Sequence, residues 1–228
     1  TVEAWIRPEG SLIGNTILFK EFEAESGPTY VFSVGFDEAG KLEGTIVEGE
    51  EGEVVQEVVS PEALPENKWS HVAFSFDGTK QKLYVNGELV ATHTGGIGAL
   101  PSEGPLQIGC AKGWEADYFW GKIDELRIYN RPLTTGEIEA DRDAAIQTPP
   151  SKDPVAAYTL DEGEGTTAND VTAIHDGTVE GAAWSEGKWG AALEFDGVTD
   201  CLTVPDRFDL QLREAFTLEA WIRPSATD

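Results

Sequence analysis

The acid in the most informative position is Asp124. In Lys122-Ile-Asp-Glu-Leu-Arg-Ile128 it shares strand parity with Leu126 and Ile128, so an extended chain carries a carboxylate on its apolar face. A buried carboxylate needs a cation, an arginine or backbone donors; otherwise Asp124 sits at a bulge and bonds backbone amides. Asp200 has the parity of Leu202 and Val204, and Asp170 falls in a loop. Rings form a second group. Trp114, Tyr118, Phe119 and Trp120 lie between Gly113 and Gly121, and Trp184 and Trp189 flank Gly187. On loops such rings can stack on sugars; otherwise Phe119 and Trp120 enter the closing strand and the rest cover the ends of the fold. Cys110 and Cys201 are either an oxidised pair or two small buried hydrophobes. His71 alternates into a strand and reads as packed, while His93 and His175 lie near loops. Neither a G-x-S-x-G elbow nor H-E-x-x-H is present, so nucleophilic and zinc chemistry have no support.

The elements that must position these groups are strands. The chain of 228 residues is 40% hydrophobic and 10% aromatic, enough for a real core. Its net charge of -26 excludes nucleic acid, which needs clustered Lys and Arg. The acidity serves either solubility or divalent-cation binding by a subset of carboxylates. No apolar run approaches the roughly 18 residues of a membrane span. With no signal peptide and no methionine, the chain is expected to be an internal piece of a longer exported protein.

Short strands separated by turn residues run through 1–130, the mark of a sandwich. Tyr30, Phe32, Val34 and Phe36 alternate in one strand, and 42–47 and 54–59 flank an acidic hairpin tip. Pro61 and Pro65 bound a loop. Asn86-Gly87 predicts a type I′ hairpin. Phe119 to Tyr129 is a long strand, and Thr134-x-x-Glu137 opens a helix reaching Asp143. Strands resume at 155–160, 177–179, 192–195, 202–204 and 216–223.

One repeat organises the whole. Thr1-Val-Glu-Ala-Trp-Ile-Arg-Pro8 returns as Thr217-Leu-Glu-Ala-Trp-Ile-Arg-Pro224, offset by 216 residues, with a single substitution. Residues 1–148 then read as the C-terminal two-thirds of one repeat, 149–154 as a proline-rich linker, and 155–228 as the N-terminal third of the next. Neither piece closes a sandwich alone. The second must complete the first in the same chain or in a neighbour. The short linker favours completion between chains or a segment of a continuous array. The two copies cannot share one slot.

Several segments, Val155-Ala-Ala-Tyr-Thr-Leu-Asp161, Gly190-Ala-Ala-Leu-Glu-Phe-Asp-Gly197, Phe216-Thr-Leu-Glu-Ala-Trp-Ile222, Lys68-Trp-Ser-His-Val-Ala-Phe74, Leu83-Tyr-Val-Asn-Gly87 and Gly121-Lys-Ile-Asp-Glu-Leu-Arg-Ile-Tyr129, resemble the laminin G-like, concanavalin A-like jelly-roll family over nearly the whole chain. The order departs, since the second part comes first here. The resemblance implies an all-β sandwich of two antiparallel sheets with one short helix. It also implies a structural calcium at Asp124 and Asp196, with Asp200 and Asp170 as further candidates. Glu194-Phe-Asp196 partly resembles the E-x-D-x-x-E strand of jelly-roll glucanases, but Thr199 stands where the last carboxylate belongs. No catalytic residue is therefore assigned. The expected role is a non-catalytic module of a secreted or surface repeat protein, serving adhesion or spacing, with neighbouring copies as partners. The alternative is a carbohydrate-binding module using Trp114, Tyr118 and Trp120; a glycoside hydrolase is the remote one.

Overall fold

The computed structural model describes residues 2–5, 14–24, 27–48, 54–95, 102–112, 117–147, 154–212 and 215–223. Its strands are β1 (Val2–Trp5), β2 (Thr16–Ala24), β3 (Gly27–Phe36), β4 (Lys41–Glu48), β5 (Val54–Ala63), β6 (Ser70–Phe76), β7 (Lys80–Val85), β8 (Glu88–Thr94), β9 (Leu106–Ile108) and β10 (Trp120–Tyr129). After helix α1 (Thr135–Arg142) come β11 (Ala156–Tyr158), β12 (Thr167–Ala168), β13 (Gly177–Glu180), β14 (Ala183–Glu186), β15 (Ala191–Asp196), β16 (Cys201–Val204), a 3-10 turn at Phe208–Gln211 and β17 (Phe216–Arg223).

These strands form two antiparallel sheets. One has eight strands, ordered β12-β13-β16-β9-β2-β3-β4-β5. The other has nine, ordered β14-β15-β10-β1-β6-β7-β8, with β11 also on β10 and β17 on both β10 and β6. Within this one chain, β15 pairs with β10, β16 with β9 and β11 with β10, so residues 156–204 join the same sandwich as residues 16–129. The linker region 148–153 lies outside the described residues.

Alternation explains the core. Phe32, Ile46, Phe74, Leu83, Ile108, Ile128, Leu193 and Phe195 fill the space between the sheets. On the other side of β6, Ala73 joins Tyr84, Tyr129, Leu133 and Ile138, where α1 covers the nine-stranded sheet. Both predicted halves of the capping box close on α1: Thr134 accepts from the Glu137 amide and Glu137 from the Thr134 amide. Asn86 and Gly87 both take positive φ (52° and 81°), the geometry that a two-residue I′ turn requires. One local expectation fails. Residues 61–63 are strand rather than loop, because β5 is a sheet edge and tolerates Pro61 without losing a ladder bond.

Cys110 and Cys201 are joined in a disulfide, Cα atoms 5.4 Å apart, beside the Ile108–Leu202 register of β9 and β16. It ties the first segment of the chain to the last.

Candidate functional site

Two β-bulges decide where the chemistry sits: the first reverses an expectation from strict alternation, and the second agrees with the alternative open for Asp124, a bulge whose carboxylate bonds backbone amides. The first is in β3. Tyr30 opposes Glu21 while Phe32 opposes Lys20, so Val31 is an extra residue. Val31 and Phe32 both enter the core. Tyr30, expected on the Phe32 face, is turned instead to the outer side of the eight-stranded sheet. There it meets Phe19, with ring centroids 5.3 Å apart.

Phe19, Ser33 and Thr45 are cross-strand neighbours on that outer side, and Gly35 opposes Glu43 one row along. With Asn15, Tyr30 and Asp117 they line a hollow of about 180 Å³. Its lining combines the rings of Phe19 and Tyr30 with polar side chains. Thr45 Oγ1 donates to Glu43 Oε1 at 3.1 Å, and the Trp120 amide donates to Asn15 Oδ1 at 3.2 Å. Burial pushes the Glu43 carboxyl above its ordinary range, with Glu57 and Asp37 adding to the rise against the Thr45 bond. Burial also raises Asp117, and burial followed by the charges of Glu43 and Glu57 raises Tyr30. The hollow therefore repels anions and offers hydroxyl, amide and carboxyl partners around two rings.

The predicted aromatic loop touches this hollow only in part. Asp117, the residue before Tyr118, is the described residue of this loop that lines the hollow. Trp120 opens β10 opposite Asp196 and packs under the turn at Gly197, where an added Cβ would lie 2.8 Å from its own Cβ. Phe119 is fully buried against Phe195. Trp114 lies outside the described residues.

The second bulge is in β10, where Glu125 has φ 55° and the register with β17 shifts after Asp124. Ile123, Leu126 and Ile128 enter the core, so the face expected for Asp124 belongs to Ile123. Asp124 is nevertheless fully buried, under the loop 187–190. Its Oδ2 accepts from the Lys188 and Trp189 amides at 2.7 and 3.1 Å, while Oδ1 is buried without a hydrogen-bond partner. An added Cβ on Gly187 would sit 2.7 Å from Asp124 Oδ2, so only glycine lets the loop come this close. Asp161 faces the same loop, accepting from the Ala191 amide at 2.7 Å.

The other predicted ligands do not converge there. Asp196 Oδ1 accepts from the Val198, Thr199 and Asp200 amides, and Asp200 Oδ2 from the Asp196 amide at 2.9 Å. These two share one turn. Asp170 anchors another, accepting from the amides of Ala157, Thr172, Ile174 and His175. Each behaves as a turn-bonding carboxylate. Among the described residues, no three His, Cys, Asp or Glu side chains are grouped to hold a metal. Glu194 lies on the opposite sheet from the hollow, opposite Lys122 in the ladder and 3.2 Å from its Nζ. The glucanase-like segment is thus a strand and a turn, with Glu194 paired to Lys122 and Asp196 bonded within its turn.

Burial first, then the charge of Glu125, pushes the Asp124 carboxyl from 3.8 to about 9, against the two amide bonds; Asp161 adds to the rise. Burial likewise takes Glu125 from 4.5 to about 7, against the charge of Arg127 and the Ile146 amide. Between pH 4 and pH 9, roughly, the folded chain keeps a proton on Asp124 that the unfolded chain has released. Stability in metal-free buffer should therefore fall as pH rises through that window. Asp124→Asn removes the charge and keeps the shape. We expect it to gain roughly 1–3 kcal/mol near neutral pH and to flatten the slope. Urea unfolding at several pH values in chelator reads both; an unchanged slope in the variant refutes the assignment.

Two packed antiparallel sheets with a polar, ring-lined hollow on one outer side place the protein among the concanavalin A-like jelly rolls. A laminin G family model of the concanavalin A-like lectin/glucanases superfamily matches residues 1–139, and the chain belongs to this family. Among solved structures, a protein of Bacteroides ovatus proposed to bind carbohydrate is similar, at 24% identity and a TM-score of 0.58. The match covers 90% of this chain and 53% of that one, so this chain spans about half of that relative's length. No curated protein matches. Among the described residues, no helix is long and apolar enough to cross a membrane.

Proposed function

We propose that this chain is a non-catalytic carbohydrate-binding module, and that its ligand is one neutral sugar residue of a longer glycan. The hollow lined by Phe19 and Tyr30 carries the proposal. A sugar ring presents an apolar C–H face to aromatic rings and hydroxyls to polar groups, and the hollow has both. At about 180 Å³ the hollow is smaller than the roughly 300 Å³ and upward of ordinary small-molecule pockets. That size suits a single ring. Glu43, Asp117 and the net charge of -26 disfavour uronic acids and sulfated chains. The family and the Bacteroides ovatus relative support a glycan ligand; the disulfide supports an exported protein.

Tyr30→Ala should weaken neutral-glycan binding by roughly 5- to 30-fold, about 1–2 kcal/mol, with unfolding unchanged, as read by a glycan array followed by calorimetry. Loss of binding on Trp114→Ala with Tyr30→Ala silent would move the site to the aromatic loop. Binding to no neutral glycan would refute the proposal.

A structural calcium belongs to the same proposal. The cage expected from Asp124, Asp196, Asp200 and Asp170 has no support, because the last three bond backbone amides, Asp196 and Asp200 in one turn and Asp170 in another and on β11. Asp124, through its unpartnered Oδ1, and Asp161, which bonds the same loop, would supply the carboxylates. The ion would neutralise the buried charge there. Calcium should then raise the melting temperature, chelator should reverse it, and Asp124→Asn should abolish the response.

A further inference from the structure

The duplicated segment gives two strands in the nine-stranded sheet, and they claim the same place. Val2 and Leu218 both oppose Phe74, Glu3 and Glu219 both oppose Ala73, Ala4 and Ala220 both oppose Val72, and Trp5 and Trp221 both oppose His71. Both also pair with β10 on the other side. Neighbouring strands stand about 4.8 Å apart, and each backbone N–H and C=O on that edge of β6 is satisfied once. The place between β6 and β10 therefore takes a single strand. It is internal to the sheet, so leaving it empty would unpair two strands and open the core at Phe74, Ile123 and Ile128.

We propose that this place is an exchange slot, holding one copy of the duplicated strand at a time, and that the copy left outside docks into the same slot of a second copy of this chain. Identical register makes the two occupants interchangeable: the incoming strand forms the same ladder, whichever chain it comes from. A surplus copy also changes the route of exchange. Without it, a strand can leave only by emptying the slot and wetting the core. With it, one copy displaces the other bond by bond and the slot is never vacant. Because the contacts are the same within and between chains, linkage is set by concentration against the effective concentration of a tethered strand, of order millimolar.

In β17, Phe216 makes ring contacts to Phe32, Phe74 and Phe76, at 4.8, 5.9 and 5.9 Å.

The experiment uses the full chain with cysteines at opposed positions. One variant carries Glu3→Cys and Ala73→Cys, another Glu219→Cys and Ala73→Cys, with oxidation and peptide mapping to distinguish new links from the native bond. Both pairs should link within chains. Mixing an Ala73→Cys chain with a differently tagged Glu3→Cys chain should yield a covalent heterodimer whose amount rises with concentration. Deleting residues 1–8, or Ala4→Pro in the intact chain, should leave a monomer that no longer exchanges. Linking of Glu219→Cys alone, absence of the heterodimer at every concentration, or exchange unaffected by both changes in β1 would each overturn the proposal.

Discussion

Removing the Cys110–Cys201 bond is expected to destabilise the fold by about 4.5 kcal/mol, the value of closing a loop of about 90 residues in the chain-entropy view. The sequence separation is 91, near the top of the range in which a single bridge restricts the unfolded chain most. Both cysteines are fully buried, so reduction acts chiefly on opened chains and should be compared with the Cys110→Ala, Cys201→Ala double variant. The bridge joins β9 to β16, and with them the segments of the chain on either side of residues 149–154. For a chain of this size the loss corresponds to a fall in melting temperature on the order of 10–15 °C. A fall smaller than about 2 °C in the double variant would mean that β-pairing alone holds the two segments together.

Phe216→Ala should cost about 3–5 kcal/mol. Phe216 is fully buried where three other phenylalanines meet, and the aromatic contacts add to the cavity left behind. Chemical denaturation gives the number directly. The same variant weakens β17 in the slot and leaves β1 untouched, so linkage between Glu3→Cys and Ala73→Cys should increase in it. A loss below about 1 kcal/mol would place the anchoring of β17 elsewhere.

Both candidate sites sit beside a residue that breaks strand alternation, and this explains what was legible in the sequence. Tyr30 reads as a core residue because it alternates with Phe32, Val34 and Phe36; the extra residue Val31 sends it to the hollow. Asp124 reads as facing the apolar interior with Leu126; the break at Glu125 gives that place to Ile123 and leaves the carboxylate under the 187–190 loop. Bulges recur next to sites because they re-aim side chains, yet no residue type announces them. Glu43, Asp117 and Asp161 were not singled out for a related reason. The register of β3 on β4 sets Glu43 beside Gly35 at the hollow, and the path of two loops brings in Asp117 and Asp161 from far along the chain.

What this sequence determined by itself, besides the plain repetition of residues 1–8 at 217–224, is whatever neighbouring residues can decide: the all-β class, the Asn86-Gly87 hairpin and the capping box on α1. Those rest on backbone preference and a period of two, which act within a few residues. The tertiary structure alone decided the hollow, the partners of Asp124, and the closing of residues 156–204 onto residues 16–129. Each of these depends on register between strands far apart in the chain, and a single inserted residue is enough to reverse which side chain faces which way.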